Sequence, residues 1–154
     1  MKADYSFQYC QKIILFNSEQ TAVLLARRKG ELDYDGIYSF IGGKLETADG
    51  GIIAGLKREK DEEIGEGVRV RVCPFFSCYN AYFIKQDGSA MILPHYYAVH
   101  QAGDIIINEE YDDYKWVNID GLSVFKPKIE TIEEAVKWAL RMKAILTKDD
   151  FIDI

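Results

Sequence analysis

The chain has little of three residue types that often carry chemistry or covalent structure. Among 154 residues there are three cysteines, three prolines and two histidines. Cys10, Cys73 and Cys78 are odd in number and show no metal-type spacing. They predict neither a disulfide framework nor a zinc site, and read as reduced thiols in a cytoplasmic protein. Cys73 and Cys78 fall in strand-like sequence, as packing residues do. His95 and His100 sit at alternating-strand positions and read as structural, and no Ser-His-Asp or Cys-His arrangement accompanies them. No stretch of about 18 apolar residues occurs, which excludes a transmembrane helix. The opening MKADYSFQYC lacks the apolar run of a signal peptide. Positive charge is scarce too: 19 Lys and Arg stand against 25 Asp and Glu, a net charge of −6. With no basic cluster, neither a nucleic-acid partner nor an RNA-end substrate is expected. A small anionic substrate stays open, because a bound metal ion reverses the local field.

The apolar share of 48% suffices for a proper core, and the length predicts a single domain over 1–154. Residues 7–16 and 21–28 are apolar and β-branched and are separated by SEQ, so they read as a hairpin or neighbouring strands. Residues 29–36 are a polar loop, and 37–41 a short strand running into Gly42 and Gly43. A helical pattern spans 51–64 and stops at Gly65. Strands follow at 68–72, 75–84, 90–99 and 114–119, with Asp87-Gly88 turning a hairpin. The segment 131–146 predicts a helix, with Thr131 and Glu134 in a capping-box pattern and Ala135, Val136, Ala139 and Leu140 as an apolar stripe. The expected fold is an α/β layered domain with a mixed sheet between helices.

The first helix holds a knot of acids: Glu59, Asp61, Glu62 and Glu63. Glu59, Glu62 and Glu63 share one face, and Ile53, Leu56 and Ile64 occupy a neighbouring face that can bury against the sheet. Like charges at this spacing cost a few tenths of a kcal/mol, and the negative end of the helix dipole disfavours them further. A divalent cation reverses both terms, and three carboxylates suit Mg²⁺ or Mn²⁺. Gly55, one turn before Glu59, leaves room for something to approach the backbone at a cost of about 1 kcal/mol relative to Ala.

The segment GGKLETADGGIIAGLKREKDEEIG (42–65) resembles the Nudix box, G-x5-E-x7-R-E-U-x-E-E-x-G-U with U aliphatic, in Gly43, Arg58-Glu59, Glu62-Glu63 and Gly65. The resemblance extends from VLLARR (23–28) to EYDDYKWVNIDGL (110–122) and covers about residues 20–140. The chain departs from the box in four places. The loop from Gly43 to Arg58 is one residue longer, so Asp49 or Gly50 falls where the first glutamate belongs. Lys60 and Glu66 hold aliphatic positions, and Ile41 stands where proline is common.

The resemblance implies a Nudix-type α/β/α sandwich and a hydrolase of a nucleoside diphosphate linked to another group. It implies Mg²⁺ or Mn²⁺ held by Glu59, Glu62 and Glu63, with one of these or a nearby acid deprotonating water. Arg58 would orient the glutamates, and Gly43 and Lys44 would shape the loop against the phosphates. By similarity to dihydroneopterin triphosphate pyrophosphatases, Glu110 would be a further ligand, with Glu109 as the fallback. Arg28 is a candidate phosphate contact, and Tyr38, Phe40, Phe75, Phe76, Tyr79 and Tyr82 are candidates to stack on a base. IYSFIGGKLE is similar to the opening of 8-oxo-dGTP-type triphosphatases. The expected reaction is therefore cleavage of a nucleoside triphosphate to monophosphate and pyrophosphate. A nucleotide sugar, ADP-ribose or dinucleoside polyphosphate substrate is the alternative, and a non-catalytic nucleotide-binding domain the rival reading. Expected partners are the nucleotide alone, without nucleic acid or membrane, and a homodimer is left open.

Overall fold

The computed structural model describes residues 6–154, so the first five residues of the opening segment lie outside it. Its strands are β1 (Gln8–Tyr9), β2 (Lys12–Phe16), β3 (Ala22–Arg28), β4 (Tyr38–Ser39), β5 (Arg69–Val72), β6 (Tyr79–Ile84), β7 (Ala90–Ala102), β8 (Tyr111–Asn118) and β9 (Ile152–Asp153). The helices are α1 (Ile52–Ile64) and α2 (Ile132–Lys143). All strands join one mixed sheet with β7 as its spine. Along one edge β7 pairs in parallel with β1 and β2; along the other it pairs antiparallel with β6 and then β5. Antiparallel β3 extends the sheet from β2 and carries β4 and β8.

Alternation along the strands builds a core on each face. Ile14, Phe16, Val23, Leu25, Tyr97 and Val99 pack with Ile132, Ala135, Val136 and Ala139 of α2. Ile13, Leu15, Leu24, Ala26, Tyr96 and Ala98 pack with Leu56 and Ile64 of α1. The result is the expected α/β/α sandwich, and β2, buried along its whole length, is apolar on both sides except for Lys12. Among the described residues no helix is long and apolar enough to cross a membrane.

Several local expectations are corrected. The strand read at 7–16 is interrupted at Cys10 and Gln11, where Gln11 N–H donates to Gly43 O at 2.9 Å and Cys10 bridges to Lys44. The loop before α1 is thereby stitched to the sheet. Residues 75–78 are not strand; Phe75 and Phe76 are exposed. Ile53 is 42% exposed, because the first turn of α1 lies beside Phe75 in a shallow groove outside the core. The capping box of α2 does not form. Thr131 has helical backbone angles and caps nothing with its side chain, while Glu134 accepts from Trp138 Nε1 at 2.8 Å.

Gly55 has a packing reason. A Cβ there would lie 2.5 Å from Leu45 Cδ1 and 2.6 Å from Gln11 Oε1, while Gln11 Nε2 donates to Ile52 O at 3.0 Å. What approaches the helix backbone is this chain's own strand and loop. Gly55→Ala gains about 1 kcal/mol of helix propensity yet overpacks the contact by about 1–3 kcal/mol. The expected outcome is a lower midpoint in thermal unfolding; a raised midpoint would show that the loop yields freely.

Candidate active site

The loop from β4 to α1 sets up the site through two glycines. Gly42 adopts φ +125°, and a Cβ there would lie 2.1 Å from Gln11 O. Its N–H donates to Glu63 Oε2 at 2.5 Å, and its carbonyl accepts from Lys12 Nζ at 3.0 Å. At Gly43 a Cβ would fall 2.3–2.6 Å from the Glu59 carboxylate. That carboxylate therefore lies directly against bare backbone.

Arg58 ties the loop to the helix. Its Nε and Nη2 contact the two oxygens of Asp49 at 2.6 and 2.9 Å, and Nη2 also donates to Lys44 O at 2.9 Å. Its Nη1 reaches Glu59 Oε1 at 2.9 Å and Glu62 Oε2 at 3.2 Å. Of Asp49 and Gly50, the two residues that fall where the box's first glutamate belongs, Asp49 is the one that pairs with Arg58. The extra loop residue is absorbed where Gly50 turns left-handed at φ +75° and Gly51 caps α1. The Arg58 fork and the Glu46 N–H hold the Asp49 carboxyl down at about 2.

Glu59 and Glu63 are buried. Burial pushes Glu63 up to about 8, against Lys12 and the Gly42 N–H and with help from the charges of Glu110 and Glu59. Burial also raises Glu59, against Arg58. Glu62 stays exposed on the same helix. Lys60, at an aliphatic position of the box, is buried with its Nζ on Val68 O at 2.7 Å, so its stem packs and its charge is used internally.

These groups open onto one cleft of about 610 Å³. Its lining includes Gly42, Gly43, Lys44, Arg58, Glu59, Glu62, Glu63, Glu110 and Arg28. Every nominated catalytic, phosphate-contact and ligand residue except the fallback Glu109 therefore lines this one cleft. Of the aromatic candidates, Phe40 and Tyr82 line the cleft, whereas Phe75, Phe76 and Tyr79 do not, and Tyr38 is buried in the core beneath α2. Glu109 is also absent from the cleft lining. Sequence reading missed Lys12, whose signal was a lone cation inside an otherwise apolar strand, and did not place His95, Phe83 and Tyr34 at the cleft. Glu59, Glu62, Glu63 and Glu110 are a hard oxygen donor set that could hold Mg²⁺ or Mn²⁺. Among the described residues no three acidic, histidine or cysteine side chains already stand close enough to share one ion. Gathering them needs exposed Glu62 and Glu110 to swing toward the buried pair.

The family model of the NUDIX domain matches residues 8–139. The chain belongs to the Nudix family of hydrolases. No curated protein matches it in sequence. The Nudix fold aligns with a MutT protein from Methanosarcina mazei Go1 at TM-score 0.75 and 17% identity, over 92% of this chain and 99% of that one. It aligns with the Nudix domain of Shewanella oneidensis NrtR complexed with ADP-ribose at TM-score 0.67 and 16% identity, over 89% and 90%. A C. elegans Ap4A hydrolase aligns at TM-score 0.68 and 10% identity, over 90% and 99%. At these identities the likeness establishes the fold of the Nudix chain alone.

Proposed function

We propose that this Nudix chain hydrolyses a nucleoside triphosphate to the monophosphate and pyrophosphate, using Mg²⁺ or Mn²⁺. The observation that carries the reading is that one cleft is lined both by the acids Glu59, Glu62, Glu63 and Glu110 and by the apolar side chains Phe40, Phe83, Met91, Leu93 and Ile132. Glu59, Glu62 and Glu63 hold the metal, with Glu110 as a further ligand. The bound ion supplies charge neutralisation of the phosphates and acidification of water. Arg58 fixes the buried carboxylate of Glu59, so its position is set before substrate arrives, while exposed Glu62, also within reach of Arg58, moves in to complete the set. One of the acids takes the proton from the attacking water. Lys44 and Arg28 receive phosphate oxygens, and bare Gly43 lets the chain run close to them. Three free thiols support a cytoplasmic setting.

A nucleotide sugar, ADP-ribose or dinucleoside polyphosphate is the alternative substrate. The cleft lining also carries Asp33, Asp87 and Glu130 against Lys85, a balance that disfavours a second strongly anionic group. The test is a hydrolysis panel of common and oxidised nucleoside triphosphates, ADP-ribose, nucleotide sugars and dinucleoside polyphosphates. It is run with Mg²⁺ or Mn²⁺ and with chelator, and products are resolved by chromatography. Metal-dependent release of monophosphate and pyrophosphate from a triphosphate supports the reading. Turnover of ADP-ribose alone would replace the substrate, and nucleotide binding without turnover would replace the enzyme with a binding domain.

A further inference from the structure

The cleft lining includes a buried histidine, His95. His95 is 4% exposed and lines the cleft from β7, opposite Tyr79 of β6 and on the same strand face as Leu93 and Met91, which stand opposite Ala81 and Phe83. Its ring is clamped edge-on between Phe40, with centroids 5.7 Å apart, and Tyr79, at 5.4 Å. Its Nδ1 lies 2.8 Å from Leu93 O. A carbonyl only accepts, so Nδ1 carries the proton and Nε2 presents a lone pair. Burial holds the imidazole neutral, down at about 4, despite the backbone carbonyls of Leu93 and Tyr79. No protein donor is bonded to Nε2 among the described residues. Nε2 is not among the fully enclosed unpartnered atoms, so a donor from water or from a ligand in the cleft can reach it.

We propose that His95 is the base-reading residue of this cleft: its Nε2 accepts a hydrogen bond from a ring N–H or amino group of a heteroaromatic base lodged among Phe40, Phe83 and Leu93. This rests on the nucleotide reading above and deepens it. The consequence is a preference for bases that present a donor over analogues in which it is methylated or missing, because such an analogue leaves Nε2 unpaired. The walls contribute area for any planar ring, and His95 contributes the choice among them.

The test compares the parent with His95→Phe, which keeps an aromatic ring between Phe40 and Tyr79, and with His95→Gln, whose amide oxygen can still accept. The kcat/KM of the preferred nucleoside triphosphate is measured relative to that of inorganic triphosphate, which has no base. His95→Phe is expected to lower this ratio about tenfold or more, chiefly through KM, with partial recovery in His95→Gln. The parent should discriminate against the donor-methylated nucleotide, and His95→Phe should not. A ratio unchanged in His95→Phe overturns the proposal. A second readout needs no turnover: the Nε2 resonance of ¹⁵N-histidine-labelled protein should move on adding the nucleotide and not its donor-methylated analogue. A shift without hydrolysis would retain His95 and remove the enzymatic reading. Hydrolysis with no shift and no change in ratio would remove His95 alone.

Discussion

Exchanging Glu63 for glutamine is expected to lower kcat by about 10²–10⁴-fold while leaving the metal-free protein at least as stable as its parent. Glu63 is buried in the cleft lining, fixed by the Gly42 N–H and crowded by the charges of Glu110 and Glu59. Glutamine retains the shape and an oxygen for the Gly42 N–H, but removes the charge that would hold a cation. The stability arm has a definite sign. Glu63 sits at about 8 in the fold and at 4.5 otherwise, so between these values the native state holds a proton that the unfolded chain has released. Native stability is therefore fully retained below pH 4.5 and falls as pH rises toward 8. Glu59, also raised, adds in the same direction. The introduced amide does not titrate, so the variant should melt with less pH dependence across this window and above its parent at about pH 8. Addition of Mg²⁺ at that pH should raise the melting temperature of the parent more than that of the variant. Thermal melts at about pH 5 and pH 8, with and without Mg²⁺, and steady-state kinetics check both arms. Full activity in Glu63→Gln would remove this residue from the ligand set.

Loss of Arg58 should be nearly as damaging to activity, by a different route. Arg58→Met is expected to reduce kcat about 10²-fold and to lower the unfolding temperature. The guanidinium makes contacts at 2.6–3.2 Å with Asp49, Lys44 O, Glu59 and Glu62, joining the loop to the acidic face of α1. Without it the Asp49 side chain, 4% exposed, keeps only the Glu46 N–H and loses its ionic partner. Arg58→Lys keeps the charge but not the planar fork, so it should recover little. Kinetics at saturating metal separate the cases: if excess Mg²⁺ returned Arg58→Met to full kcat, the arginine would be serving metal affinity alone.

Much of this protein could be read along the chain where the deciding physics is local. The period of α1, its end at Gly65, the Asp87-Gly88 turn and the alternating strands all depend on neighbours a few residues away. The acids at Glu59, Glu62 and Glu63 were legible for the same reason, since helical spacing alone puts them on one face. Reading failed where long-range contacts override local preference. The Thr131 pattern is a sound capping box in isolation, but a turn bond from Ile132 N–H to Ile129 O brings the chain in with Thr131 already helical. Ile53 has the right phase to be buried, yet it faces the shallow groove shared with Pro74 and Phe75.

The layered α/β class, the family and the acidic helix face follow from the order of residues, because each is written in spacing along one element. Three-dimensional packing was needed to show that Asp49 partners Arg58 across an enlarged loop, that Gly55 makes room for Gln11 and Leu45, and that Lys12 and His95 line the same cleft as the acids. These pairings join strand, loop and helix distant in sequence. They exist because the parallel pairing of β2 with β7 sets Lys12 opposite His95, while the loop stitched to Gln11 brings Glu59 and Glu63 over them.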